Sequence, residues 1–132
     1  MRMTLQTDYA LRMLIFLAIR NGKPCTVGDV AAAYGLSRNH LLKVARGLSD
    51  LGMVETLRGR SGGIRLASPP EDINIGTVVR AMEADMAVVE CLKVDGGACT
   101  IAPCCALTGV VRKAIDAYLA VFDGYVLRDL VR

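Results

Sequence analysis

The feature that most restricts the fold of this chain is a pair of short helical segments joined by a tight turn and followed by a glycine-rich hairpin. Helices are predicted over 27–34 and 38–51, because each stretch begins after a threonine or serine that can cap it and ends before a glycine. Strands are predicted over 53–57 and 64–67, separated by the sequence RGRSGG. Two helices joined in this way and followed by a basic hairpin predict a winged helix-turn-helix.

The rest of the chain predicts further helices. A first helix over 5–20 is apolar nearly all round and should be buried on more than one side. A short helix over 75–82 follows a boundary at Pro69 and Pro70. Little chain remains to cover the apolar stripe of a last, long helix, so we expect a second copy of the chain to pack against it. That helix is predicted from Pro103 onward, where apolar residues recur every three or four positions: Leu107, Val110, Val111, Ala114, Ile115, Tyr118, Leu119 and Phe122.

Basic residues are concentrated in the helix-turn-helix and the hairpin. The net charge of +3 does not by itself indicate nucleic acid, but the stretch 37–65 holds six basic residues against two acidic ones. In a helix-turn-helix the second helix enters the major groove, and its first residues face the bases. Arginine and asparagine suit guanine and adenine, while serine and lysine suit phosphates. The predicted DNA-binding residues of this helix are Ser37, Arg38, Asn39, His40 and Lys43.

The hairpin strengthens this interpretation. The alternative for the helix is that Ser37 only caps it and that its basic residues form a solvated face. The hairpin tip, however, carries Arg58, Arg60 and Ser61 among glycines, and a narrow basic tip suits insertion into a minor groove. A turn alone explains the glycines but not the two arginines. We therefore predict that these three residues also bind DNA.

Four of the five cysteines lie within fifteen residues: Cys91, Cys99, Cys104 and Cys105. The amino terminus carries Asp8 and Arg12 where a secretory signal needs an unbroken apolar core, and no apolar run is long enough to span a bilayer. We therefore expect a cytoplasmic protein that does not enter membranes. In that reducing compartment, clustered cysteines favour metal binding or redox chemistry over disulfides.

The spacing of the cysteines leaves several kinds of site open. Cys91, Cys99 and Cys105 follow C-x7-C-x5-C, which differs from the paired spacing of common zinc sites and from the close run of bacterial ferredoxins. The glycines at 96 and 97 allow the loop to bend so that three sulfurs converge. A helix starting at Pro103 would place two cysteines in its first turn. A zinc site or partly buried free cysteines remain alternatives on spacing alone.

Several stretches, in order, resemble the iron–sulfur winged-helix transcriptional repressors. They are TDYALRML, YGLSRNHLLKV, LRGRSGGIRLASPP, GTVVRAME, ACTIAPCCAL and YVLRDLV, and together they extend over essentially the whole chain. The family includes nitric-oxide-sensing, iron-responsive and cluster-assembly regulators. SRNHLLKV and TIAPCC are most similar to the nitric-oxide-sensing branch, while the cysteine spacing fits the iron-responsive branch equally well.

The resemblance also implies a ligand set. Cys91, Cys99 and Cys105 would hold an iron–sulfur cluster in each subunit of a homodimer, of the 4Fe-4S type or alternatively 2Fe-2S, and Asp8 of the partner subunit would supply an oxygen ligand. Thr108 stands where the cluster-assembly regulator has a ligand histidine, and the chain's only histidine lies in the helix-turn-helix. Asp8 has a structural alternative, because an acidic residue in a first turn stabilises the helix dipole.

The remaining cysteines receive simpler interpretations. Cys104 departs from the family pattern, and we interpret it as a bystander, with replacement of Cys105 as a ligand as the alternative. Cys25, beside Pro24, is interpreted as a packing residue.

The sequence thus predicts a mainly α protein with a small β-hairpin. We expect a winged helix-turn-helix DNA-binding domain over 1–70, and a cluster-binding loop with a dimerisation helix over 71–132. The predicted function is that of a repressor, not an enzyme, which senses nitric oxide and releases an inverted-repeat operator in double-stranded DNA. The alternatives are an iron-responsive repressor that senses cluster loss and, from a different class, a small iron–sulfur electron-transfer protein.

Overall fold

A computed structural model describes the whole chain, residues 1–132, and confirms the predicted fold class. The helices and strands are α1 (Leu5–Ile19), α2 (Val27–Tyr34), α3 (Arg38–Asp50), β1 (Val54–Leu57), β2 (Gly63–Leu66), α4 (Ile75–Met82) and α5 (Ala106–Asp123). Four 3-10 turns lie at Pro70–Asp72, Glu90–Leu92, Ala102–Cys104 and Leu127–Leu130. None of the helices combines the length and the apolar character that crossing a membrane requires.

Local capping explains the bounds of α2. The Thr26 hydroxyl accepts a hydrogen bond from the Asp29 N–H (3.0 Å), and the Asp29 carboxylate accepts one from the Thr26 N–H (2.8 Å). The bond from the Thr26 backbone lowers the pKa of Asp29, so the cap is charged at neutral pH. Gly35 then ends the helix at φ +64°, a conformation that favours glycine. The helix therefore spans the residues that the sequence predicts.

The hairpin is anchored to the segment that precedes α2. β1 and β2 are antiparallel, with Val54 opposite Leu66. The Cys25 N–H donates to the Ile64 carbonyl (3.0 Å), and the Ile64 N–H donates back to the Cys25 carbonyl (2.7 Å). Gly63, at φ +148°, lies so close to the Cys25 carbonyl that no side chain fits there. Cys25 is buried, which raises the pKa of its thiol and confirms its predicted packing role.

A single hydrophobic core joins the two halves of the chain. Helix α1 is central to it, because α1 contacts α3, α4, β2 and the C-terminal 3-10 turn. Ala10, Met13 and Leu14 of α1 are fully buried, which confirms that this helix is covered on several sides. Leu127 of the C-terminal turn is equally buried. The core therefore crosses the boundary at residue 70, and the functional division at that boundary stays a prediction.

The predicted start of the long helix is wrong. Pro103 lies in the separate 3-10 turn Ala102–Cys104, and Cys105 then has an extended backbone (φ −87°, ψ 115°) that precedes the first helical residue, Ala106. Cys104 and Cys105 consequently lie before α5 and not in its first turn. Proline does favour the start of a helical turn, but here that turn is the short one.

The apolar stripe of α5 divides into two faces. Leu119 is buried, and Ile115, Tyr118 and Phe122 pack against the core of the same chain. Leu107 and Val110 belong to a second face that is exposed to solvent. The helix therefore covers its own core with one side, and the other side remains free for a partner.

Candidate DNA-binding surface and cysteine site

Helix α3 presents a basic face to solvent. Its exposed residues include Arg38, Asn39, Lys43 and Arg46. Arg46 is absent from the predicted set, although it follows Asn39 by about two helical turns and so shares its face. The opposite side of the helix is buried in the core: Leu41, Val44, Ala45 and Leu48. Burial of one face thus orients the polar side chains outward, where a DNA groove could receive them.

Two of the predicted contact residues also have partners within the chain. The Ser37 hydroxyl accepts a hydrogen bond from the His40 N–H (3.4 Å), so it caps α3. The His40 ring packs edge-on against Tyr9 of α1, with 4.8 Å between the ring centroids. The contact with Tyr9 holds the start of α3 against α1. The roles of Ser37 and His40 in DNA binding stay predictions.

The tip of the hairpin exposes Arg58, Arg60 and Ser61. Neither arginine is part of an ion pair within the chain, whereas Arg65 in β2 pairs with Glu55 on the facing strand. The two tip guanidiniums therefore have no internal counter-charge, and their positive charge is available to a polyanion such as DNA.

The cysteine loop turns back on itself at its glycines. Gly97 has φ +58° and lies against the Glu90 carbonyl, where a side chain would collide. The Glu90 carboxylate accepts bonds from Lys93 Nζ (3.0 Å) and from the Ala98 N–H (3.3 Å). The bond from Lys93, and then that from Ala98, lower the pKa of Glu90, so it is charged at neutral pH. These contacts bring the segment that precedes Cys99 back beside Glu90, the residue before Cys91.

Two of the cysteines lie at the start of α5, one by contact and one by sequence. Cys91 Sγ lies 3.4 Å from Thr108 Oγ1 in the first turn of that helix, and Cys105 is the N-cap residue. Cys91, Cys99 and Cys105 are half-buried free thiols. Free thiols near one helix end suit a soft, thiolate-bound iron centre better than an ion that prefers oxygen ligands. The structure does not gather three potential ligands into one metal-binding group, so the ligand set stays a prediction.

Cys104 and Asp8, the two other candidates for the cluster site, each have a hydrogen-bond partner nearby in the chain. Cys104 is exposed, and its thiol donates to the Ile101 carbonyl (3.5 Å) within the 3-10 turn. The Asp8 carboxylate accepts two hydrogen bonds from the Arg12 guanidinium, at 3.0 and 2.9 Å. Asp8 would therefore have to exchange Arg12 for iron in order to act as a ligand. The interpretations of Cys104 as a bystander and of Asp8 as a ligand are not tested by these contacts.

Comparisons with known proteins agree over the full length. Residues 3–132 match the Rrf2 family, described as an iron-dependent transcriptional regulator. The chain is 53% identical over 133 residues to the HTH-type transcriptional regulator NsrR of Bacillus subtilis, covering 100% of this chain and 91% of the relative. It is 39% identical over 132 residues to protein aau3 of Rhizobium meliloti, covering 100% and 86%.

Solved structures show the same fold. CymR, the global cysteine regulator of B. subtilis, superimposes with a TM-score of 0.78 at 27% identity, covering 98% of this chain and 95% of that one. IscR of T. potens gives a TM-score of 0.78 at 23% identity, covering 98% and 85%, and supports the fold alone.

Proposed function

This chain belongs to the Rrf2 family of transcriptional regulators, and we propose that it is a homodimeric repressor that releases an inverted-repeat operator when nitric oxide reacts with its iron–sulfur cluster. As a member of this family it is a DNA-binding transcriptional regulator and not an enzyme. NsrR and CymR, two of the proteins matched above, are named as regulators, which argues against the alternative of an electron-transfer protein.

The exposed face of α5 supports the homodimer. The spacing of its apolar residues alternates between three and four positions, which is the pattern of a coiled-coil seam. These exposed residues are Leu107, Val110, Ala114, Ala117 and Val121. Because the other face of α5 already covers the core of its own chain, a second copy of the chain is the natural partner for this seam.

The observation that carries the proposal is the contact between Cys91 and the first turn of α5 (3.4 Å from Sγ to Thr108 Oγ1). Leu107 of the proposed dimer seam lies between Cys105, the N-cap residue of α5, and Thr108. One predicted ligand, Cys105, thus directly precedes α5, and another, Cys91, contacts the first turn of α5, which also carries Leu107 of the proposed dimer seam. A change in how the cysteines are held would move the seam and hence the distance between the two recognition helices. That distance must be about 34 Å for two successive major grooves.

Each predicted ligand has a structural role in this coupling. Cys91, Cys99 and Cys105 would hold the cluster, and the bound cluster would supply iron able to react with nitric oxide. The loop held by these cysteines positions the start of α5. Asp8 lies in α1, which packs directly on α3. Asp8 could thus either pair with Arg12 or bind the cluster of the partner subunit. A change between these two states would act through α1 on α3, the helix proposed to read DNA.

A second candidate function is supported by the family description, which names iron dependence. In that case the same protein would release its operator when iron becomes scarce and the cluster is lost. The geometry of the cysteine site and of the DNA-binding surface serves either signal, since both would change how the cysteines hold the start of α5.

One experiment tests both candidates. The protein is purified without oxygen, its iron and sulfide are measured, and its retardation of a palindromic DNA fragment is followed during separate titrations with nitric oxide and with an iron chelator. Release by nitric oxide while the chelator has no effect supports the nitric-oxide sensor. The reverse result supports the iron sensor, and DNA binding that responds to neither reagent refutes the sensing proposal.

A further inference from the structure

One apolar residue interrupts the basic face of the recognition helix. Leu42 is 41% exposed, whereas the core-facing residues of α3 are at most 8% exposed. Its neighbours on the exposed side are Arg38 one turn before it, Arg46 one turn after it, and the adjacent Lys43. Single exposed leucines are common on protein surfaces. This one, however, lies among cations on the face that would enter the major groove.

We propose that Leu42 determines operator specificity by contacting the C5-methyl group of a thymine, an inference that rests on the proposed DNA-binding function. The methyl group of thymine is the apolar feature of the major-groove edge. The flanking Arg38 and Arg46 can hold phosphates or guanine, which brings the leucine between them close to the groove floor. Leucine offers no hydrogen bond, so facing the amino group of cytosine would leave that donor desolvated and unpaired. Leu42 therefore favours thymine and disfavours cytosine at the same position.

The test removes the methyl group without any other change to the DNA. The full-length protein, purified without oxygen, selects preferred duplexes from a random-sequence pool. Each thymine in one half-site is then replaced in turn by deoxyuridine, which lacks only the C5-methyl group. One replacement should weaken binding by the wild-type protein about fourfold, the contribution expected from burying a single methyl group. Leu42→Ala should bind the thymine and deoxyuridine duplexes equally.

Two variants control for non-specific effects. Leu51→Ala changes a leucine that is 43% exposed at the end of the same helix, and it should keep the fourfold penalty. Leu42→Met keeps an apolar side chain of similar size and should also keep the penalty. A wild-type protein that shows no penalty at any thymine, or a Leu42→Ala variant that retains it, overturns the inference alone. A selection that yields no preferred sequence overturns both the inference and the proposed base-specific regulator.

Discussion

Replacing Leu127 by alanine tests whether the C-terminal turn is part of the core. Leu127 is fully buried, its N–H donates to the Ile73 carbonyl (2.8 Å), and its turn contacts α1. The substitution removes three carbons, whose transfer from water contributes about 2 kcal/mol, and the cavity left behind adds to this loss. We therefore expect the free energy of unfolding to fall by about 3 kcal/mol.

The measurement is urea unfolding followed by circular dichroism, at one fixed protein concentration because the stability of the proposed homodimer would depend on concentration. Leu130→Ala is the matched control: it changes the same residue type in the same turn, but Leu130 is 38% exposed. That variant should lose less than about 1 kcal/mol. Equal losses in both variants, or a loss below about 1 kcal/mol for Leu127→Ala, would refute the reasoning that the tail completes the core.

Three further predictions concern the cluster and DNA. The proposed thiol ligands are Cys91, Cys99 and Cys105. Replacing any one of them by alanine should remove the iron measured after anaerobic purification, while Cys104→Ala should keep it. If Cys104→Ala loses the iron and Cys105→Ala keeps it, Cys104 is the ligand and Cys105 the bystander. Asp8→Ala should alter the visible spectrum or speed iron loss, because one weak ligand is removed while three thiolates remain, and an unchanged protein would leave Asp8 as a partner of Arg12 only. Arg58→Ala should weaken DNA binding and leave the iron content unchanged. If this variant binds DNA with wild-type affinity, the hairpin has a purely structural role. Lys43→Ala should reduce the slope of log affinity against log salt by about one.

Local signals were sufficient to predict much of the secondary structure. The bounds of α2 and α4 agree with the sequence because nearby caps decide them: Thr26 and Gly35 for α2, and for α4 Asn74, whose side chain accepts from the Thr77 N–H (3.0 Å). The exposed basic residues of α3 could likewise be predicted, because a regular apolar period identifies the opposite, buried face. The start of α5 could not be predicted. A proline is equally compatible with a long helix and with a short 3-10 turn, and in the structure the extended backbone of Cys105 separates such a turn from α5.

The amino-acid sequence by itself determined the winged helix-turn-helix, its basic surface and the presence of a cysteine-rich loop, because caps, periodicity and charge act over a few residues. Only the tertiary structure decided which face of α5 covers its own core, that Leu127 closes that core, and that Cys91 reaches Thr108. These contacts join segments distant in sequence, and they form only where packing of the whole chain brings the segments together. The proposed coupling between the cysteine loop and the proposed dimer seam would therefore be a property of the packed chain and not of any single motif.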